Sequence, residues 1–162
     1  MEPLADQVRA CLRQVASTVT ILSAGRGETA VVMTATAFTP VSLEPVPTVL
    51  VCVNRSARLH AVALREGAFR INILRDDQAP TATACSGGDM DARLRAADWR
   101  HDAGAGPHLA DSLFALACRT IRVIDQGAHS ILIAEVTEVA RRDGDPLLYV
   151  RGDYARLARP DT

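Results

Sequence analysis

The spacing of apolar residues divides the chain into an opening helix and a series of strands. Leu4, Val8, Leu12 and Val15 recur at helical spacing, so a first helix should place this apolar face on the body of the fold. The apolar runs that follow are rich in β-branched residues and are bounded by glycine or polar residues, which is typical of strands. The first four predicted strands are Thr18 to Ala24, Thr29 to Phe38, Thr48 to Val53 and Phe69 to Leu74.

Turn and capping residues predict how these strands are connected. Gly25-Arg26-Gly27 is a hairpin turn between the first two strands. A short helix fits Ser56 to Glu66 with Ser56 as its cap, and either Asp76 or Asp77 is placed to cap another helical segment.

The second half of the chain repeats the hairpin pattern after a polar interruption. Residues 86–109 are rich in Gly, Asp, Arg and His, which predicts a surface excursion or lid. Four further strands are predicted: Leu113 to Ile124, His129 to Ala140, Leu147 to Val150 and Tyr154 to Leu157. Hairpin-linked strands with inserted helices favour a single mainly β domain over residues 1–162, a β-barrel with flanking helices.

Charge and composition exclude several functions. The formal net charge is −1 and no basic stripe is present, so nucleic acid is not an expected partner. All 18 cationic side chains are arginine, which excludes Schiff-base chemistry and a lysine base.

Cysteine spacing and hydropathy predict a soluble, cytoplasmic protein. Cys11, Cys52, Cys85 and Cys118 are far apart and form no C-x-x-C pair, so we expect reduced and mostly buried thiols. No apolar run has the length of a membrane span, and no apolar leader precedes the first helix.

Common catalytic motifs are missing from the sequence. Gly104 to Gly106 follows a polar loop and does not open a helix after a strand, so it does not fit a dinucleotide fingerprint. There is no phosphate-binding P-loop and no G-x-S-x-G elbow. The four histidines are scattered, and we expect no metal site.

One short stretch combines hydroxyls with small side chains and carries no charge. Residues 34–39 read T-A-T-A-F-T, with no carboxylate before Glu44. Hydroxyls and exposed amides at a strand end suit an uncharged heterocycle or a phosphate. The same pattern also fits a strand with threonines on its outward face.

Five segments of the chain resemble, in order, the signatures of the flavin reductase family. They are V-V-M-T-A-T-A-F-T-P-V-S-L-E-P, V-L-V-C-V-N-R-S-A-R-L-H, G-A-F-R-I-N-I-L, G-A-H-S-I-L-I-A-E-V and L-L-Y-V-R-G-D-Y-A-R-L. The resemblance implies a Greek-key split barrel of the FMN-binding type, which normally pairs two protomers with flavin sites at their interface.

The resemblance also implies the residues of the site. The flavin-binding residues would be Thr34, Ala35, Thr36, Ala37, Phe38, Ser42, Cys52, Val53, Asn54, Ser56, Arg58 and Asn72. Arg55 is an equal alternative to Arg58 as a phosphate ligand. His129 matches the histidine of the family's G-D-H motif near the nicotinamide; hydride transfer to flavin needs no general base.

The implied function is an NAD(P)H-dependent flavin reductase, with FMN or FAD as the flavin and NADH or NADPH as the reductant. It would supply reduced flavin to a separate monooxygenase component by diffusion. Two alternatives are a flavin-binding or electron-transfer module without NAD(P)H turnover and an oxidase acting on a pyridoxine phosphate. Three departures from the family pattern, Ala37, Ala128 and Ala134, bear on flavin affinity and turnover.

Overall fold

A computed structural model describes residues 2–101 and 104–158 of the chain, and these residues form a mainly β fold. Its helices are α1 (Leu4–Leu12), α2 (Arg58–Glu66), α3 (Ala79–Ser86) and α4 (Met90–Arg95). Its first six strands are β1 (Ser17–Thr18), β2 (Thr20–Ala24), β3 (Val31–Ala35), β4 (Phe38–Ser42), β5 (Thr48–Asn54) and β6 (Ala68–Ile73). The others are β7 (Trp99–Arg100), β8 (His108–Leu109), β9 (Phe114–Gln126), β10 (His129–Arg141), β11 (Leu148–Val150) and β12 (Asp153–Ala155).

The main sheet is antiparallel and has seven strands in the order β3-β2-β6-β9-β10-β5-β4. Its two outermost strands, β3 and β4, are neighbours in sequence and are separated only by Thr36 and Ala37. A flat sheet of this size would hold its outermost strands about 29 Å apart. Two connecting residues span at most about 11 Å. The sheet is therefore curled so that its two edges approach each other.

All seven strands contribute to one apolar core on the inner face of this curled sheet. Val49, Val51 and Val53 alternate inward along β5, as expected from the two-residue period of a strand. Phe38 from β4 packs against the same core, and helix α2 adds three further buried residues. A single core shared by both edge strands is consistent with the curled sheet.

A second apolar core lies on the outer face of β2 and β3. Ile21 and Val32 pack there against Ala82 and Cys85 of α3, so β2 is buried on both faces. The three-stranded sheet β1-β11-β12 adjoins this core through Leu147, which precedes β11.

The segment predicted as a surface lid is partly internal, which corrects that prediction. It contains α4 and the β7-β8 pair, and residues 102–103 lie outside the described structure. Ala105 and Leu109 are buried, and Ser23 Oγ donates a hydrogen bond of 2.5 Å to the carbonyl of Pro107. Residues 105–109 therefore help to form the fold, since they cover β2 and β6.

Two predicted helix caps and the predicted packing of the first helix are wrong. Ser56 does not cap α2, because the residue before that helix is Ala57 and the Ser56 hydroxyl donates to Asn54 instead. Helix α3 begins after Gln78, so neither predicted aspartate caps it. Helix α1 forms as predicted, but it buries none of its residues, and Leu4 is 75% exposed.

The four cysteines are free thiols, but only two of them are buried, so the prediction of mostly buried thiols was too broad. Burial raises the pKa of Cys85 to about 11 and that of Cys118 to about 12. Cys11 is exposed and Cys52 is half-buried. No helix in the described part of the chain is long and apolar enough to cross a membrane.

Candidate functional site

The connection between β3 and β4 offers two backbone amides that the fold does not use. Thr36 and Ala37 follow the last residue of β3, and neither amide donates a hydrogen bond within residues 2–101 and 104–158. Their carbonyls are used, because Phe38 N donates to Thr36 and Cys52 N donates to Ala37. Both residues are exposed. The two exposed N–H groups are therefore available as donors to a bound molecule.

Two neighbouring pockets flank β3, and Ser86 lines both. The first has a volume of about 220 Å³ and is lined by Val19, Thr34, Ala35, Thr36, Ser86, Tyr149 and Tyr154. The second has a volume of about 300 Å³ and is lined by Val32, Met33, Ala57, Arg58, Leu59, Ser86, Gly88, Met90 and Arg93. Thr34 and Thr36 of the predicted stretch thus line the first pocket and Arg58 lines the second; the two pockets together are called the groove below.

The end of β5 brings Asn54 and His129 opposite each other, close in the chain to Ala57, which lines the second pocket. His129 begins β10 directly opposite Asn54 in the strand register. Asn54 Oδ1 accepts hydrogen bonds from Ser56 N at 2.9 Å and Ser56 Oγ at 2.8 Å, which leaves the Asn54 Nδ2 donor for other partners. The Asn54 carbonyl accepts from Ala57 N at 3.0 Å, and Ala57 lines the second pocket.

The structure distinguishes Arg58 from Arg55 as a candidate for anion binding. The Arg55 guanidinium lies 3.9 Å from Asp125 and points toward the β9-β10 turn. Arg58, by contrast, lines the second pocket at the first turn of α2. A guanidinium in this position can bind a phosphate through two parallel hydrogen bonds.

Two residues predicted for the site lie elsewhere, and a third is turned away from it. Asn72 is fully buried between β2 and the 105–109 segment, where its amide already has its partners. The Ser42 hydroxyl donates to the Glu44 carbonyl in a turn at the far end of β4, about 13 Å along the strand from Phe38. Val53 packs its side chain into the inner core, so only its backbone can contact a ligand.

Several residues of the groove have no counterpart among those predicted from sequence. Tyr149 and Tyr154 line the first pocket and pack against each other edge to face, with ring centroids 5.5 Å apart. Arg93 donates to the carbonyls of Val32, Gly87 and Gly88 and so fixes the wall of the second pocket. These residues come from distant segments, and no local motif marks them.

The donor set of the groove fits an oxidised flavin. An isoalloxazine ring presents carbonyl and ring-nitrogen acceptors, which match the free amides of Thr36 and Ala37. A flavin phosphate is an anion, and Arg58 is a cation that lines the second pocket. Among the described residues, no group of His, Cys, Asp or Glu is arranged to hold a metal ion.

Comparisons with known proteins identify the family. Residues 12–158 match the flavin reductase like domain. The chain is 37% identical over 144 residues to the reductase component of a 4-nitrophenol monooxygenase from Rhodococcus opacus, covering 88% of this chain and 75% of the relative. It is 34% identical over 160 residues to an FMN reductase (NADH) from Methylorubrum extorquens, covering 98% and 92% of the two chains.

A solved structure has the same fold. It is an NADH:FAD oxidoreductase from Streptomyces globisporus in complex with NAD and FAD fragments. The TM-score is 0.88 at 28% identity, with 96% of this chain and 93% of the other covered. The chain therefore belongs to the flavin reductase like family.

The placement of Asn72 generates the first testable prediction. Its Nδ2 donates to Ile21 O at 3.0 Å and to Ser23 Oγ at 3.1 Å, and its Oδ1 accepts from Leu109 N at 3.0 Å. We expect Asn72→Ala to lower the free energy of unfolding by about 2–4 kcal/mol, because it leaves buried polar groups without partners. Urea unfolding followed by circular dichroism measures this change.

The matched control removes an exposed side-chain amide. Gln7→Ala, on α1, should change the free energy of unfolding by less than about 0.5 kcal/mol. A stable Asn72→Ala protein with weakened flavin binding would contradict the structural role and restore Asn72 as a ligand.

Proposed function

We propose that this chain is an NADH-dependent flavin reductase that supplies reduced FMN or FAD to a separate monooxygenase component. The observation that carries the proposal is the pair of unused amides at Thr36 and Ala37, beside a groove that ends at Arg58. Membership of the flavin reductase like family supports it. Ala37 lacks the hydroxyl of the family motif, but its backbone donor is retained.

We further propose that the curled sheet is the Greek-key split barrel expected from the resemblance, formed by one domain that spans residues 1–162. The split would be the opening where β3 and β4 part, since those strands do not pair with each other. Flavin would be held there between the Thr36-Ala37 connection and the first turn of α2. A flavin held there would supply two-electron redox chemistry between the nicotinamide and the oxygenase.

The residues of the chain act mainly by binding and orientation. The amides of Thr36 and Ala37 would hold the ring, Asn54 Nδ2 would add a donor at its edge, and Arg58 would hold the phosphate. His129 is exposed at the start of β10 opposite Asn54. We assign it to the approach of the nicotinamide as a hydrogen-bonding residue, without a proton-transfer role in hydride delivery.

The partner and setting of the reaction follow from the same assignment. The product is a diffusible reduced flavin, so the consuming protein is a flavin-dependent monooxygenase component, as in the relative from Rhodococcus opacus. A cytoplasmic location agrees with the need for NADH and with the four free thiols.

We also propose that two chains form a homodimer through the face of α1. Leu4, Val8, Leu12 and Val15 are all exposed, with Leu12 at 64%. A third pocket, with a volume of about 400 Å³, is lined by residues of this face together with Thr36 and Tyr149. Apolar side chains at helical spacing beside the flavin groove favour a partner protomer there, because association would remove them from water.

The function is tested by NADH oxidation at 340 nm with and without added FMN or FAD. We expect turnover that depends on free flavin, and we expect Arg58→Ala to raise the KM for flavin about tenfold through loss of a charge-assisted bond. Arg65→Ala is the matched control, since Arg65 lies at the other end of α2 and pairs with Glu66. Flavin binding without NADH oxidation would contradict a reductase and indicate a binding module.

The dimer is tested by sedimentation velocity. The wild type should sediment with twice the 17.3 kDa mass of one chain. Leu12→Glu should shift the protein toward the monomer, because it places a charge in the apolar face. Val139→Glu, an exposed apolar position on β10 outside that face, is the control. A wild-type monomer would overturn the proposed dimer.

A further inference from the structure

Three polar side chains form a continuous hydrogen-bonded chain beside His129. His60 Nε2 on α2 lies 2.8 Å from Ser130 Oγ on β10. Ser130 Oγ lies 2.6 Å from Asp125 Oδ1 near the end of β9. Ser130 is fully buried, whereas Asp125 is exposed. The chain therefore runs from a helix, through a buried hydroxyl, to a carboxylate at the surface.

The carboxylate of Asp125 determines which group donates and which accepts in each of these hydrogen bonds. The hydrogen bond from Ser130, followed by the charges of Arg55 and His60, lowers the pKa of Asp125, so its carboxylate is ionised and can only accept. Ser130 has one hydroxyl proton and donates it to Asp125. Ser130 Oγ must then accept from His60, which places a proton on His60 Nε2. Each member has one defined role, so removing any one breaks the chain.

This hydrogen-bonded chain and the contacts next to it hold the turn between β9 and β10 against α2 and the loop before it. Residues 127–128 form the tight turn between β9 and β10, with Gly127 at a φ of 56°. Ala128 O accepts from Arg55 N at 2.9 Å, and the Arg55 guanidinium faces Asp125 at 3.9 Å. His129 lies between this turn and Ser130 in sequence. The contacts made by Ser130, Asp125 and Ala128 thus fix the backbone on both sides of His129.

We propose that His60, Ser130 and Asp125 are positioning residues that hold His129 in register with Asn54 for binding of the nicotinamide nucleotide. This assignment rests on the proposed reductase function. The flavin contacts proposed above come from Thr36, Ala37, Asn54 and Arg58, none of which is a member of this hydrogen-bonded chain. Breaking this hydrogen-bonded chain should therefore weaken the binding of the nicotinamide nucleotide more than the binding of the flavin.

The test compares Ser130→Ala with the wild type in two measurements. Steady-state kinetics should show a KM for NADH raised about tenfold, with kcat and the flavin Kd changed less than about twofold, since one hydrogen bond to a charged group carries a factor of this size. Amide hydrogen exchange of residues 127–129 should accelerate about tenfold, with residues 132–136 unchanged. A role in stability alone would not produce this separation.

Two variants of His60 test whether the three residues act as a unit. His60→Gln retains a donor in place of Nε2 and should stay near the wild type, whereas His60→Ala should behave like Ser130→Ala. The double variant His60→Ala with Ser130→Ala should be no worse than either single variant. A double variant whose rise in the KM for NADH equals the product of the two single rises would contradict the proposal that the three residues act as a unit.

The control is a buried serine at the opposite end of β9. Ser112 Oγ donates to Leu109 O at 3.0 Å, so Ser112→Ala removes a similar hydrogen bond far from His129. Its KM for NADH should match the wild type, and an equal rise in Ser112→Ala would overturn the proposal. Asp125→Ala changes an exposed position and provides the same readouts if the buried Ser130→Ala variant does not fold.

The exchange measurement separates this inference from the proposed function. A wild type that oxidises no NADH would refute the reductase, and exchange at residues 127–129 would still report on the anchoring of the turn. Unchanged exchange and an unchanged KM for NADH in Ser130→Ala would refute the positioning chain and leave the reductase intact.

Discussion

The connection of two residues between β3 and β4 is the constraint on which the rest of the structure depends. It joins strands at opposite ends of a seven-stranded order, so the sheet has to curl until its edges meet. Curling encloses a single apolar core that all seven strands share. Because the two edges approach without pairing, the amides of Thr36 and Ala37 have no hydrogen-bond partner among the described residues. A ligand at the place where the sheet opens can accept from those donors.

The same constraint explains why the candidate site contains few charged groups. The opening is bordered by strand ends and by the first turn of α2, so it offers mainly backbone donors and small side chains. Arg58 and Arg93 line the second pocket, and Asn54, which faces His129 across β5 and β10, accepts a hydrogen bond from Ala57 of the same pocket. Such a set of donors suits the binding and orientation of a cofactor that performs the chemistry itself, which agrees with the family to which the chain belongs.

Local sequence patterns predicted most strands and hairpins, because alternation and glycine turns are short-range signals. The prediction of one strand over Thr29 to Phe38 is wrong, since that stretch is divided between β3 and β4 by Thr36 and Ala37. The β9-β10 hairpin and the helix before β6 both appear close to their predicted bounds. The roles of individual polar residues were less predictable. Asn72 matched a family position, yet its amide is consumed inside the fold by segments far away in sequence. Tyr149 and Arg93 reach the groove only through tertiary packing, which no local pattern encodes.

The central claim is that flavin binds where β3 and β4 part, and amide chemical shifts of the labelled protein test it most directly. On titration with oxidised FMN, we expect the largest shifts at Thr36 and Ala37, with smaller shifts at Asn54 and at the first turn of α2. Saturating shifts confined to another surface, such as the pocket beside Arg100 and Arg141, would contradict the account.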